Sequence, residues 1–401
     1  MSAIKIGVLR EEKSPPDKRV PLTPLICFEL KKKFPDLKIV VQPSPIRCYT
    51  DEEYSYFGIE LQENLSDCDV LMGVKEVPLD KLLPGKKYFF FSHTIKKQAH
   101  NQKLMKALIE KKVELIDYET LTDKRHNRLI GFGRYAGIVG AYNGILGYGL
   151  KYDLFRIKPA HLCRDRAEME EELKRVKLPN IKIVLTGGGR VGNGAIETLS
   201  ALHIRRVTPE EFLMSNFREP VYCQLNPRDY VERPGDHNFD LNDFFTHPEH
   251  FVSKFPAYTK HADIFISTHY WDPRGPKMFT KKDMRSPDFR ISVIADITCD
   301  INGSVPSTIR PGTIAQPFYG YNIHTELEDL PFVKDAVCVM AVDNLPCELP
   351  RNASDDFAKD LTERVLPYLL GEDKDKVIRR ATICKQGKLT HYYEYLGDYA
   401  Y

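Results

Sequence analysis

The sequence predicts an α/β protein built from two doubly wound parallel sheets. Three observations carry that expectation. Short apolar runs alternate with helix-length stretches through residues 1–120, and a second alternation of the same kind begins near residue 181. Between strand-like and helix-like segments of the second set lies a glycine-rich loop, Gly187-Gly188-Gly189-Arg190-Val191-Gly192.

In chain order, residues 4–9 read as a strand, 22–34 as a helix and 38–41 as a strand. Residues 69–74, 88–91 and 114–117 are further strands, with a helix over 98–111 between the last two. The stretch 133–152, GRYAGIVGAYNGILGYGLKY, sets Gly137, Gly140, Gly144 and Gly147 three, four and three residues apart. On a helix these form one bare stripe, which costs roughly 1 kcal/mol per glycine relative to alanine and lets another backbone come close. The expectation is a long helix packed tightly where two domains meet. Residues 181–186, 263–268 and 293–296 are strands of the second set, while 216–262, rich in Pro, Asp, His and Asn, reads as an excursion. An amphipathic helix with a cap region at Asn352 and Ser354 closes the pattern. The domain boundaries implied are 1–135 with 335–401 for one domain and 136–334 for the other.

Composition narrows the function. A chain of 401 residues suits about two domains, and 42% apolar content supplies their cores. A net charge of +2 gives no reason to expect nucleic acid or an acidic membrane as partner. The start, MSAIKIGVLREEK, lacks a basic segment followed by an apolar one, so no secretory leader is expected. The most apolar stretch, 129–150, carries Arg134, Asn143 and several glycines and reads as a helix of a soluble protein. Nine cysteines with no C-x-x-C suit reduced thiols in the cytoplasm, and no metal site is expected.

The glycine loop is G-x-G-x-x-G in the context that motif requires. Gly187 permits a tight turn, Gly189 lets the backbone approach a pyrophosphate, and Gly192 lets helix and strand pack closely. The helix start, with Arg190 and Val191 in the same loop, offers free N–H groups to the phosphates of NAD or NADP. At the end of the next strand, where an acid usually holds the ribose hydroxyl of NAD, stands Thr208, preceded by Arg205 and Arg206. That leans towards NADP, although Glu210 or Glu211 remains available for NAD.

Two strand-like runs of the first set each deliver one titratable side chain, Lys75 after VLMGV and His93 after YFFFS. Ligands of open α/β sheets gather at the carboxyl ends of strands. There, desolvation would pull a lysine down towards the working range of a histidine, giving an acid/base pair for carbonyl or imine chemistry. Arg19, Arg128 and Glu119 point the same way, because two arginines suit a substrate with several carboxylates. Taken singly, Lys75 beside Glu76 also reads as a surface ion pair, and either arginine as a surface residue.

The segments REEKSPPDKRVPLTP, GVKE, FFFSHT, LIDYE, FGRYAGIVG, GGGRVGNGA and VDNLP resemble, in this order, the alanine dehydrogenase, transhydrogenase and saccharopine dehydrogenase superfamily. The resemblance spans about residues 4–395 and is strongest to lysine–ketoglutarate reductase. It implies two Rossmann-like domains around a cleft, and reductive condensation of L-lysine with 2-oxoglutarate to saccharopine using NAD(P)H. The amine adds to the keto group, water leaves and hydride reduces the imine. By that resemblance Lys75 and His93 are the acid/base pair, and Arg19 and Arg128 bind substrate carboxylates. Glu76 and Glu119 tune the lysine and histidine. Gly187, Gly189 and Gly192 hold the dinucleotide, with Asp300 and Asp343 near its nicotinamide end. A cysteine pair found near the cofactor in fungal members falls at Val191 and Thr268 here, so that disulfide is not expected. By the same resemblance, the domain that carries saccharopine onward in the animal enzyme is not expected among these 401 residues. Small-molecule substrates are the expected partners, with an oligomer allowed. The alternatives are another amino-acid or opine dehydrogenase, such as alanine dehydrogenase, and a regulatory dinucleotide-binding subunit without chemistry.

Overall fold

A computed structural model describes residues 4–235 and 239–401. The chain divides into two compact units, Met1–Phe132 with Pro350–Tyr401, and Gly133–Leu349.

The first unit is an eight-stranded sheet. Its strands begin with β1 (Lys5–Val8), β2 (Lys38–Val41), β3 (Glu60–Leu61), β4 (Val70–Met72), β5 (Lys87–Phe90) and β6 (Glu114–Asp117). Helix α1 (Pro24–Lys33) follows β1 and α2 (Gln102–Glu110) follows β5. These six strands pair in parallel. Along the sheet β1 stands between β2 and β4, so the chain winds one way through β2 and β3 and then the other way through β4, β5 and β6. The β1–β4 junction is therefore a topological switch point, where open α/β sheets hold ligands. Successive side chains go to opposite faces. Met72, Phe89 and Ile116 join one core cluster with Leu30, whereas Leu71, Tyr88, Phe90 and Leu115 join another with Leu104 and Met105. Both faces are covered, and this is why the strands read as unbroken apolar runs.

The second unit opens with α3 (Gly133–Lys151), then β7 (Lys182–Thr186), α4 (Arg190–Ala201), β8 (Arg205–Val207), β9 (Val221–Leu225), β10 (Ile264–Ser267) and β11 (Val293–Asp296). β12 (Phe318–Asn322), β13 (Glu328–Asp329) and β14 (Ala336–Met340) complete its eight-stranded sheet, in the order β13-β12-β14-β11-β10-β7-β9-β8. The strands from β14 to β8 along this order are parallel, and the switch point lies between β7 and β10. The excursion carries a two-stranded ribbon, Val231–Glu232 against Val252–Ser253. The chain then returns to the first unit with α5 (Pro350–Arg364), β15 (Thr382–Lys385) and β16 (Lys388–Leu389), both strands antiparallel additions beyond β6.

Two expectations are corrected here. The glycine stripe of α3 seats elements of its own unit. A Cβ on Gly137 would lie 1.9 Å from Val191 O, one on Gly194 2.0 Å from Arg134 O, and one on Gly140 2.3 Å from the Ile297 side chain. Glycines on both α3 and α4 thus allow the two helices to touch backbone to backbone. Asn352 and Ser354 do not cap the C-terminal helix, because Pro350 starts it four residues before Ser354. Ser354 is buried and its Oγ accepts from Val20 N at 3.0 Å. Among the described residues no helix is long and apolar enough to cross a membrane.

Replacing Gly137 by alanine should force α3 and α4 apart and cost about 1–3 kcal/mol, as overpacking does. Gly189→Ala is the control, since a Cβ there meets nothing within 4 Å. Urea unfolding should show a lowered midpoint for the first variant only. Equal midpoints would refute the close helix contact.

Candidate active site

The parallel register brings three strand ends side by side. Met72 pairs with Phe89, and Phe90 with Asp117. The pairing continues past the strands, where Phe91 N donates to Val74 O at 3.0 Å. Lys75 and His93 follow immediately, so the two residues do emerge at neighbouring strand ends. No hydrogen bond joins their side chains among the described residues.

Backbone N–H groups that leave a parallel sheet need new acceptors. Two buried carboxylates supply them. Glu11, on the segment after β1, accepts from Val74 N at 2.6 Å and from Lys75 N at 2.9 Å. Asp117, the last residue of β6, accepts from Ser92 N at 2.9 Å, from Ser92 Oγ at 2.5 Å and from Glu119 N at 2.7 Å. Burial raises the Asp117 carboxyl above its ordinary value, although these hydrogen bonds work against it. For Glu11, burial and then the Asp17 charge outweigh the two backbone donors and push it up to about 8. His93 sits between Ser92 and Thr94 with φ of 54°, a left-handed conformation that costs of order 1–3 kcal/mol in a non-glycine residue. The Ser92–Thr94–Asp117 hydrogen bonds hold it there.

Three cationic or basic side chains converge on Glu119. His93 Nδ1 lies 3.2 Å from its Oε2, Arg128 Nη2 2.7 Å and Lys96 Nζ 3.2 Å from its Oε1. Burial opposes ionisation of Glu119, but the His93 hydrogen bond and the Lys96 and Arg128 charges hold its carboxyl well below the usual range. With Nδ1 engaged, Nε2 is the His93 atom available for proton exchange. Glu76 pairs with Lys13, and its Oε2 has no hydrogen-bond partner among the described residues. Burial raises its carboxyl, yet the Lys13 hydrogen bond and the charges of Lys13 and Lys75 bring it below the ordinary value. Arg19 is buried, held by Asp17 through Nε at 3.0 Å and Nη2 at 2.6 Å, with its guanidinium 4.2 Å over Phe132. A cavity of about 300 Å³ at the β1–β4 switch point is lined by Glu11, Lys75, Glu76 and Tyr88 among others.

In the second unit, Gly187 has φ of 101° and its N donates to Leu225 O. A Cβ on Gly192 would meet Gly187 O at 2.4 Å, whereas one on Gly189, the N-cap of α4, would enter open space. The turn, the tight packing and an unobstructed helix start of twelve residues fit a dinucleotide pyrophosphate. Val191 packs its backbone against α3 at Gly137. Thr208 is exposed and its hydroxyl accepts from Glu211 N while Glu211 accepts from Thr208 N, so this pair is spent on a helix cap. Arg205 pairs with Glu219 at 2.9 Å. Asp300 and Asp343 lie exposed in the segments after β11 and β14.

Sequence reasoning missed Glu11, Asp17, Asp117, Lys96 and His269. His269 follows β10 as His93 follows β5, and is buried between Thr186 Oγ1 at 2.7 Å and Ser304 Oγ at 2.9 Å. Burial pushes its imidazole down to about 3, keeping it neutral. An available signal was the acid closing each apolar run, in ELID and VIAD. Both Asp117 and Asp296 prove fully buried.

A family model for the alanine dehydrogenase/PNT N-terminal domain matches residues 7–139, and one for the alanine dehydrogenase/PNT C-terminal domain matches residues 171–392. An alpha-aminoadipic semialdehyde synthase of Arabidopsis thaliana is 30% identical over 98% of this chain. The chain spans only 41% of that protein's length. A saccharopine dehydrogenase of Emericella nidulans, named NAD(+), L-lysine-forming, is 24% identical and matches 95% of this chain and 94% of its own. A solved L-alanine dehydrogenase has the same fold, with a TM-score of 0.64 at 16% identity over 99% of this chain and all of that one.

Glu11 yields a pH prediction. Its folded pKa of about 8 exceeds the ordinary 4.5, so the folded chain holds this proton more tightly than the unfolded chain. The contribution is fully present below the ordinary value and is lost as pH rises through about 8, a change of at most about 5 kcal/mol. The thermal midpoint of Glu11→Gln should therefore fall less between those pH values than that of the unaltered protein. Parallel pH profiles would refute the assignment.

Proposed function

The chain belongs to the alanine dehydrogenase/PNT family, and from that premise we propose that it is an oxidoreductase joining L-lysine and 2-oxoglutarate into saccharopine, or cleaving it, with a nicotinamide dinucleotide. The observation that carries this reading is the neighbouring emergence of Lys75 and His93 beside Glu119, Arg128 and Glu76. An amine and an imidazole at adjacent strand ends suit the proton transfers of imine formation and hydrolysis. The two similar proteins bearing saccharopine-dehydrogenase and semialdehyde-synthase names support lysine as the amine.

In this reading His93 exchanges its proton through Nε2, with Glu119 holding Nδ1 and stabilising the imidazolium. Lys75 serves the amine or carbinolamine oxygen, kept at its strand end by Glu11. Arg128 is the arginine recruited first by a substrate carboxylate. Its side chain is 43% exposed, against 5% for Arg19, so it is the more accessible of the two to an incoming carboxylate. Arg19 acts while still held by Asp17, because breaking a buried pair costs about 3–5 kcal/mol. The glycine loop and the start of α4 would hold the dinucleotide, whose nicotinamide would supply or accept the hydride. The lean is towards NADPH: Glu211 is committed to the Thr208 cap and Arg206 stands exposed within β8.

The test is loss of reduced-nicotinamide absorbance with 2-oxoglutarate, with and without L-lysine, using NADPH and NADH in turn. Lysine-dependent oxidation with a product of saccharopine's mass is expected. Activity only with pyruvate and ammonia would move the chain to alanine dehydrogenase chemistry, and silence with tight coenzyme binding would favour a regulatory subunit. Lys75→Met and His93→Gln should each lower turnover by about a hundredfold or more with coenzyme binding intact. Unchanged rates in both would sink the acid/base roles. Gly189→Val should fold, since its Cβ faces open space, yet fail to bind coenzyme. Normal coenzyme titration by that variant would overturn the loop assignment.

A further inference from the structure

The excursion of the second unit carries a cluster that the proposed reaction does not use. The short helix Leu241–Thr246 is followed at once by a 3₁₀ turn, Pro248–His250. Asp243, His247 and His250 project from this pair of turns, and their ligating atoms all lie within 4.8 Å of one another. Asp243 Oδ1 is 3.2 Å from His247 Nδ1, and the rings of His247 and His250 stack at 5.2 Å with planes 11° apart. From these positions we propose that Asp243, His247 and His250 form a binding site for a divalent transition cation of the zinc class.

The chemistry follows from the donor set. Two imidazoles and a carboxylate suit zinc, copper or nickel, whereas magnesium and calcium prefer oxygen ligands throughout. Three protein ligands with water in the remaining position form the usual open zinc site. A tetrahedral zinc ion sets its ligand atoms roughly 3.3 Å apart. Asp243 Oδ1 and His247 Nδ1 already stand at 3.2 Å, and both histidines are exposed.

The scaffold beneath the cluster is anchored. Pro248 and Phe251 are buried, and Phe244 packs on Phe251 at 5.2 Å between ring centres. The ribbon Val231–Glu232 with Val252–Ser253 ties the two ends of the segment together. Arg233, next to that ribbon, donates to Asp243 Oδ2 at 3.0 Å and so turns Oδ1 towards His247. An outer partner of this kind orients a ligating carboxylate, although its charge also opposes the cation. Phe244, Phe245 and Pro248 line an aromatic slot with Tyr230, His269 and Trp271. A bound ion would therefore stiffen one wall of that slot.

The experiment is calorimetric titration of the full chain, stripped with a chelator, with Zn²⁺ and separately with Mg²⁺. The same titration is run on His247→Ala, His250→Ala and the double variant. The unaltered protein should bind one equivalent of Zn²⁺ and none of Mg²⁺, and should unfold at a higher temperature when loaded. Each single variant should weaken Zn²⁺ by more than the roughly 10–100-fold loss that an outer-shell change alone causes. No saturable Zn²⁺ binding, or binding of equal affinity by the double variant, would overturn the proposal. The second result would place the ion at another site. The variants lie on exposed residues outside the proposed active site, so their coenzyme binding serves as the check that they are folded.

Discussion

The parallel register of β4, β5 and β6 is the constraint on which the candidate active site depends. Met72, Phe89 and Ile116 stand level across three strands. Lys75, His93 and Glu119 each follow their strand by two or three residues. A slip of one residue in any pair would turn a whole strand's apolar set over and carry its terminal residue to the wrong face. Because both faces of this sheet are packed, such a slip costs a core residue on each side. The hydrophobic cores therefore secure the placement of the polar end groups.

Beyond the strand ends the same problem recurs and meets the same answer. The last N–H groups of a parallel strand have no neighbouring strand to donate to, and buried carboxylates accept them. Glu11 takes those of Val74 and Lys75, Asp117 those of Ser92 and Glu119, and in the second unit Asp296 takes that of Thr298. All three acids are raised by burial, the largest influence on each. Glu11 and Asp117 touch the backbone next to the proposed catalytic residues and fix their positions, including the left-handed turn at His93. The charge that remains at the rim is concentrated on Glu119, where His93, Lys96 and Arg128 meet.

The second unit rests on a different device. Its α3 and α4 approach so closely that glycine is required on both sides, at Gly137 and at Gly194. The contact holds the first turn of α4, which is also the turn in which the glycine loop ends. Loop geometry and helix packing are thus one structural decision, and the stripe in α3 and the G-x-G-x-x-G motif are its two halves.

The sequence by itself determined the alternation of strands and helices, the glycine-rich turn between β7 and α4, and the emergence of Lys75 and His93 at strand ends. These are local patterns: apolar runs of strand length, glycines at fixed spacing, and a titratable residue closing a run. It also carried a family likeness strong enough to name a reaction. Only the tertiary structure decided that α3 serves α4 and that Ser354 bonds Val20 instead of capping its helix. Only there does Glu211 go to the Thr208 cap, and only there do Glu11, Asp17 and Asp117 become buried anchors. In the sequence REEKSPPDKR looks like a solvated charge cluster, because burial and hydrogen-bond partners belong to residues up to sixty-four positions away. A charged side chain's role depends on what surrounds it, and those surroundings exist only once the sheet has formed.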